Sequence, residues 1–103
     1  MTEIEIQKMV AATIGDQWDR SNLHGVDLRR CLVPPKQVTA INAGDETETP
    51  VWLVLLEAPD TRLGYAVAYH EESKQFGLVQ LTKEYAPCLI GLYGGFFNTL
   101  EAM

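Results

Sequence analysis

The middle of the chain decides the fold, and residues 51–81 there read VWLVLLEAPDTRLGYAVAYHEESKQFGLVQL. Apolar runs at 51–57, 64–70 and 76–81 are separated by polar segments that favour turns. The runs are rich in β-branched and aromatic residues, and they are too short to be buried helices. The pattern predicts three strands joined as an antiparallel meander.

The first two predicted strands differ in what their faces carry. Strand 51–57 is apolar on both faces, which is typical of a central strand covered on both sides. Strict alternation places Val51, Leu53 and Leu55 on one face and Trp52, Val54 and Leu56 on the other. Strand 64–70 has a face of small residues, including Ala66 and Ala68, on which we expect a helix of this chain or, alternatively, a second copy to pack.

Helices are predicted at both ends of the chain. Thr2 lies three residues before Glu5, a spacing that favours reciprocal capping at a helix start. Apolar residues then recur at steps of three and four to form one stripe: Ile6, Met9, Val10, Ile14 and Trp18. Gly15 predicts a bend or an end, and Asn22 with Gly25 predicts a stop. Residues 96–103 repeat the helical spacing, so a short helix should dock on the sheet or on a partner.

Two further segments are predicted to be extended or ambiguous. Residues 28–33 and 37–42 read as strands split by Pro34-Pro35, because prolines cannot donate to a ladder. Residues 88–93 fit either strand or helix, and the glycine pair that follows predicts a break. Together the elements predict a single α+β domain over residues 1–103, with an N-terminal helix, a mostly antiparallel sheet of about four or five strands and a short C-terminal helix.

Charge and composition limit the classes of partner. The net charge is −6, and all of the excess acid lies in residues 37–103. Such a chain has no basic stripe for nucleic acid, and its first helix lacks the basic face of a membrane-surface helix. No signal peptide is recognised at the N-terminus, and Cys31 and Cys88 have the apolar neighbours of reduced, buried thiols. We therefore expect a cytoplasmic protein.

Candidate catalytic groups are few. His70 beside Glu71 and Glu72 is the first place to look for acid/base or metal chemistry, but HExxH spacing fails because residue 74 is lysine. His24 is the other imidazole, and Cys31 beside two arginines is better explained as a buried thiol than as an activated one. The glycine-rich residues 91–95 lack the lysine and hydroxyl of a phosphate loop. The sequence thus predicts no catalytic residue, metal site or cofactor, and it favours a protein without enzymatic activity.

The apolar strand faces are more numerous than two short helices can cover, and this excess motivates a functional hypothesis. We expect a protein-interaction domain, acting as a homodimer, adaptor or inhibitor through an exposed sheet face or an edge strand. The expected ligand or partner surface consists of Trp52, Tyr65, Tyr69, His70 and Phe76.

Two alternatives remain open. One is a small-molecule-binding domain or small enzyme with an aromatic pocket, in which His70 and Glu57 do the polar work. The other is an acidic inhibitor of a basic protein, which requires both acidic loops at one end of the sheet. Its surface would consist of Asp45, Glu46, Glu48, Glu71 and Glu72.

Overall fold

The described chain contains three helices and five strands in an α+β arrangement, and the computed structural model describes residues 1–20 and 25–103. The elements in order are α1 (Glu3–Ile14), α2 (Leu28–Cys31), β1 (Leu32–Asn42), β2 (Glu48–Ala58), β3 (Leu63–His70), β4 (Gln75–Leu81), β5 (Cys88–Gly94) and α3 (Phe96–Glu101). The predicted N-terminal helix, central meander and C-terminal helix are all confirmed. The ambiguous segment at 88–93 is a strand.

The strands close into a barrel in their sequence order, from β1 to β5. Each strand pairs antiparallel with the next, and a short parallel contact between β1 and β5 completes the circle. In that contact Ile41 pairs with Cys88, and Asn42 pairs with Leu89. The sheet therefore covers its own inner surface, and α1 and α3 pack against the outside.

The barrel interior is narrow and is lined by small and medium-sized apolar residues. Its buried members are Ala40, Val51, Leu53, Leu56, Ala66, Ala68, Val79 and Leu89. Small barrels commonly alternate small and large residues to fill such a taper. The prediction that a helix or a second copy would cover Ala66 and Ala68 is therefore wrong, because the opposite strands of the barrel cover them.

A second core lies between the outer surface of the sheet and the helices. Ile6, Val10 and Ile14 of α1 and Phe96 and Leu100 of α3 are buried there. Four aromatic rings continue this core from β3 to α3, with centroid separations of 5.0, 5.5 and 5.3 Å along Tyr69, Phe76, Phe96 and Phe97. The outer face of the meander is consequently covered by the two ends of the chain.

A bulge in β2 changes the faces that strict alternation predicted. Leu53 pairs with Ala68 and Leu55 pairs with Val67, so two residues of β2 advance against one of β3. Beyond the bulge Leu56 lies in the barrel interior and Leu55 in the outer core. The predicted faces of these two leucines were therefore wrong, because an extra residue inverts the alternation that follows it.

The segment before the meander also differs from the prediction. Residues 28–31 form the short helix α2, because the Asp27 side chain caps it by accepting a hydrogen bond from the Arg29 amide at 3.1 Å. β1 then runs through Pro34-Pro35 as one strand, with an irregular register between Leu32 and Lys36 that accommodates the prolines. The two separate strands predicted for residues 28–42 are thus a helical turn and a single strand.

Helix α1 is shorter than its apolar stripe. Thr2 and Glu5 form the predicted capping box, and the helix ends at Ile14 because Gly15 adopts φ of 60°. Trp18 lies beyond that end and packs on the outer core, whereas the stop predicted at Asn22 lies outside the described residues. None of the helices in the described ranges is long and apolar enough to cross a bilayer.

The close approach of β4 and β5 at Gly77 generates a stability prediction. A Cβ at this position would lie 2.7 Å from the Gly91 carbonyl oxygen and 2.8 Å from Leu92 Cδ2, and the carbonyl cannot rotate away. We expect Gly77→Ala to lower the free energy of unfolding by about 1–3 kcal/mol, as overpacking of a core does.

Urea unfolding measures this change, with Gly44→Ala as the matched control. A Cβ at Gly44 meets nothing within 4 Å, and its φ is not in the left-handed region. The control should stay within about 0.5 kcal/mol of the parent protein. Equal stability of the two variants would contradict the close packing at Gly77.

Candidate functional site

A cleft of about 550 Å³ opens at one end of the barrel, between the β1–β2 connection and β5. Its wall is lined by Asn42, Ala43, Gly44, Asp45, Thr49, His70, Leu89, Ile90, Gly91 and Leu92. Polar groups come from β1, β2 and β3, and the apolar groups come mainly from β5. The volume lies within the range typical of ligand sites.

The cleft exists because β5 extends beyond its partner on one side. On the side facing β1, strand pairing in the described chain stops at Leu89, and β1 turns away after Asn42. Residues 90–94 of β5 therefore have β4 as a neighbour but no strand on their other side within the described ranges. We call these residues the open edge. Unpaired strand edges are templates for pairing with another chain.

The open edge carries exposed apolar side chains. Ile90 is 38% exposed, Leu92 36% and Tyr93 40%. Consecutive residues of β4 pair with Leu89 and Gly91, and another consecutive pair of β4 residues pairs with Leu92 and Gly94. Ile90 and Tyr93 therefore have no partner in β4, and each is the extra residue of an irregularity in β5. Such bulges re-aim side chains next to functional sites.

The opposite lip of the cleft is held by side-chain hydrogen bonds. The Asn42 side-chain amide donates to Thr47 Oγ1 at 2.8 Å and to Thr49 Oγ1 at 2.6 Å. Asp45 Oδ1 accepts from the Thr47 hydroxyl at 2.7 Å and from its amide at 3.0 Å. These bonds lower the pKa of Asp45, the hydroxyl contributing most, so its carboxylate is charged at neutral pH.

His70 lies on the cleft wall at the end of β3 and is half-buried. Its Nδ1 shares a hydrogen bond of 2.6 Å with Ser73 Oγ, and the Ser73 amide donates to the same nitrogen at 3.3 Å. The imidazole therefore closes the β3–β4 turn through one nitrogen. His24 lies outside the described residues, and the described part of the chain contains no group of His, Cys, Asp and Glu side chains arranged to hold a metal ion.

The two acidic segments lie at the same end of the barrel as the cleft. One is the connection between β1 and β2, continued by Glu48, and the other is the connection between β3 and β4. Trp52 pairs with Tyr69, so the start of β2 lies beside the end of β3. Glu71 accepts from the N-terminal amine at 2.9 Å and from the Trp52 indole at 3.4 Å, and the amine chiefly lowers the pKa of Glu71. The remaining glutamates, Glu46, Glu48 and Glu72, are exposed. Within the described ranges no ion pair involves any of these three.

The residues of the expected ligand or partner surface do not share one site. Tyr69 is 5% exposed and Phe76 is 6% exposed, and both lie in the outer core under the helices. Trp52 packs against that core from its edge, and Tyr65 lies half-buried near the start of β3. Of the set, His70 lines the cleft. The sealed tyrosine and phenylalanine are stabilising core residues in this structure.

Two other sequence candidates lie away from the cleft. Glu57 accepts a hydrogen bond from the Tyr65 amide at 3.0 Å, so it sits beside the start of β3, whereas His70 sits at its end. Cys31 is buried, and this burial raises the pKa of its thiol. A buried thiol of raised pKa has little thiolate, so Cys31 is a packing residue.

The cleft also contains residues that sequence reasoning did not select. Asn42 and Thr49 belong to it because the hairpin brings them together, and Ile90 and Leu92 belong to it because β5 overshoots β1. One signal was present in the sequence. Residues 88–93 are apolar without alternation and are followed by paired glycines, which is typical of an irregular strand.

Comparison with known proteins gives no family. No family model, curated protein or solved structure matches the chain. The cleft and the open edge are therefore the features of this chain that indicate a function.

The hydrogen bonds of Asp45 generate a pH prediction. Thr47→Ala removes the hydroxyl that contributes most to the lowered pKa, so the pKa of Asp45 should rise while the Thr47 amide keeps it below its ordinary value. A carboxyl whose pKa is lowered by folding stabilises the protein above its unfolded pKa, and that stabilisation is lost as pH falls through the folded pKa. As the pH falls below the ordinary pKa of aspartate, the free energy of unfolding should therefore decrease less in the variant than in the parent protein.

An NMR titration of the side-chain carboxyl carbons checks this prediction. Glu5 serves as an internal control, because its pKa is lowered by hydrogen bonds at the cap of α1, the backbone one contributing most. The Glu5 titration should be the same in parent and variant. An unchanged Asp45 titration would show that the Thr47 hydroxyl does not bind the carboxylate.

Proposed function

We propose that this protein is a protein-interaction domain that binds its partner at the open edge of β5. The observation that supports this proposal is the end of β1–β5 pairing at Leu89, which leaves five strand residues, 90–94, available on one side. Main-chain pairing at such an edge supplies affinity, and side chains in adjoining pockets supply specificity. A homodimer, an adaptor and an inhibitor all use this geometry.

Of the two surfaces expected from the sequence, an exposed sheet face and an edge strand, the proposal uses the edge. The barrel and the helices cover the strand faces that the sequence left unassigned, so those faces offer no docking surface. The large hydrophobic residues that remain exposed on the described strands are Ile90, Leu92 and Tyr93. Natural proteins usually protect a sheet edge with charges, prolines or covering elements. Residues 90–93 carry no charge or proline, and the irregularities at Ile90 and Tyr93 are the only such protection that the described chain has on this edge. The exposed apolar side chains favour occupation by a partner.

Cellular location is part of the proposal. Cys31 and Cys88 are both free, and reduced thiols are typical of a cytoplasmic protein. We therefore place the interaction in the cytoplasm.

Site-specific photo-crosslinking in cells of the natural host tests the function. A photoreactive phenylalanine in place of Tyr93 should give a covalent adduct of defined mass with a protein, because this residue of the open edge is 40% exposed. Adding Ile90→Lys should reduce the adduct severalfold, since a charged side chain blocks edge pairing.

The matched control places the same photoreactive residue at Tyr85. This tyrosine is exposed in the connection between β4 and β5 and does not line the cleft. The control should give no adduct of the same mass. Failure to obtain an adduct at position 93, or equal adducts at both positions, would refute an interaction through the open edge.

A small-molecule-binding domain is the second candidate. The size of the cleft and the presence of His70 on its wall favour it, although the aromatic residues expected to line such a pocket lie elsewhere. A screen of small compounds by amide chemical shifts distinguishes the two. Saturable shifts confined to the cleft, without a crosslinked protein, would favour the small molecule.

A further inference from the structure

We infer that the partner at the open edge is an extended segment of another protein that combines lysine or arginine with apolar residues. This inference rests on the proposed function and adds the chemistry of the partner. The open edge supplies apolar side chains, and the surrounding loops supply negative charge. A partner that matches both must carry cations beside apolar side chains.

The length and form of the segment follow from the strand. Residues 90–93 form a short edge interrupted by the irregularities at Ile90 and Tyr93, and Gly94 ends it with φ of 84°. A segment of about four residues that is extended over part of its length fits such an edge. Ile90 and Leu92 line the cleft, where they can contact apolar side chains of the segment. Alternate side chains of a strand point to opposite sides, so the remaining positions are free to carry charge.

The charge of the surroundings selects a basic segment. Five acidic residues lie at this end of the barrel, four in the β1–β2 and β3–β4 connections and Glu48 at the start of β2. Lys74 is the one basic residue in the same segments. Glu71 is already paired with the N-terminal amine. Glu46, Glu48 and Glu72 are exposed and have no ion-pair partner within the described chain. Glu46 and Glu72 lie on the two loops and Glu48 lies at the start of β2, all at the end of the barrel where the cleft opens. There they attract cations at long range.

Tyr93 adds a second preference for cations. Its ring lies on the open edge next to Gly91, and a Cβ built on that glycine would lie 3.5 to 3.6 Å from the ring atoms and hydroxyl of Tyr93. The residue is 40% exposed, so part of it is accessible to solvent. Lysine and arginine bind the face of a tyrosine ring by cation–π attraction.

The same charges argue against a second copy as the occupant. Two copies joined at this edge would bring two sets of acidic loops together, and each chain carries a net charge of −6. Like charges facing each other across a strand pair are destabilising. The residues of β5 itself, Cys88–Gly94, hold no basic side chain that would compensate.

Titration of the full ¹⁵N-labelled chain with designed peptides tests the inference. The probes are blocked hexapeptides that alternate valine with lysine, with glutamate or with glutamine. The lysine peptide should shift the amides of residues 90–94 and 43–49, and it should bind at least about tenfold more tightly than the glutamate peptide at low salt. Raising the salt concentration should weaken the lysine peptide severalfold, because exposed charges are screened.

A pair of matched variants locates the charge. Glu48→Gln with Glu72→Gln should weaken the lysine peptide by about three- to tenfold, since both carboxylates flank the cleft. Asp16→Asn with Glu84→Gln removes the same charge from exposed residues outside the cleft and should change the affinity less than about twofold. Equal weakening by the two pairs would overturn the assignment of the acidic loops to the partner site.

The outcomes separate this inference from the function on which it rests. Equal affinity for the lysine and glutamate or glutamine peptides would overturn the basic partner and leave the edge interaction standing. A Tyr93 adduct of twice the chain mass would show that the partner is a second copy, and it would overturn the basic partner alone. An adduct formed while no peptide shifts the amides of residues 90–94 would do the same. Absence of the Tyr93 adduct would refute the edge interaction itself, whatever the peptides do.

Discussion

The narrow interior of a five-stranded barrel is the constraint on which the rest of this structure depends. A sheet of this size closes only where some inward positions are small, and Ala40, Ala66 and Ala68 fill that requirement. At Gly77 the contact with β5 leaves no room even for a methyl group. Once closed, the sheet buries one of its faces without any help from the helices, and the helices are free to cover the other.

Closure also determines where the barrel is incomplete. Strands of a small barrel are staggered, so the last strand meets the first at an offset rather than end to end. Here β5 meets the final residues of β1, Ile41 and Asn42, and then continues past them beside the β1–β2 connection. The cleft and the open edge are direct results of this offset. The same stagger that completes the core therefore leaves residues 90–94 without a second strand neighbour in the described chain, and it is there that Ile90, Leu92 and Tyr93 are exposed.

Much of the acidic end is already organised by local hydrogen bonds. Asp45 holds its own turn through Thr47, Glu71 binds the N-terminal amine, and His70 is tied to Ser73. These groups fix the shape of the cleft wall. The side chains of Glu46, Glu48 and Glu72 make no such bonds in the described chain, so their carboxylates can interact with a partner. A carboxylate that hydrogen-bonds its own loop stabilises the loop, whereas an unpaired one attracts cations.

The sequence by itself determined the α+β class, the meander, the capped first helix and the docked last helix, because apolar periodicity and capping residues act over a few neighbouring residues. It also identified the acidic segments. Only the tertiary structure decided that Ala66 and Ala68 face a barrel interior, that Leu55 and Leu56 exchange faces, and that Tyr69 and Phe76 are sealed. Closure, bulges and strand offset arise from contacts between residues far apart in the chain, and a local pattern carries no record of them.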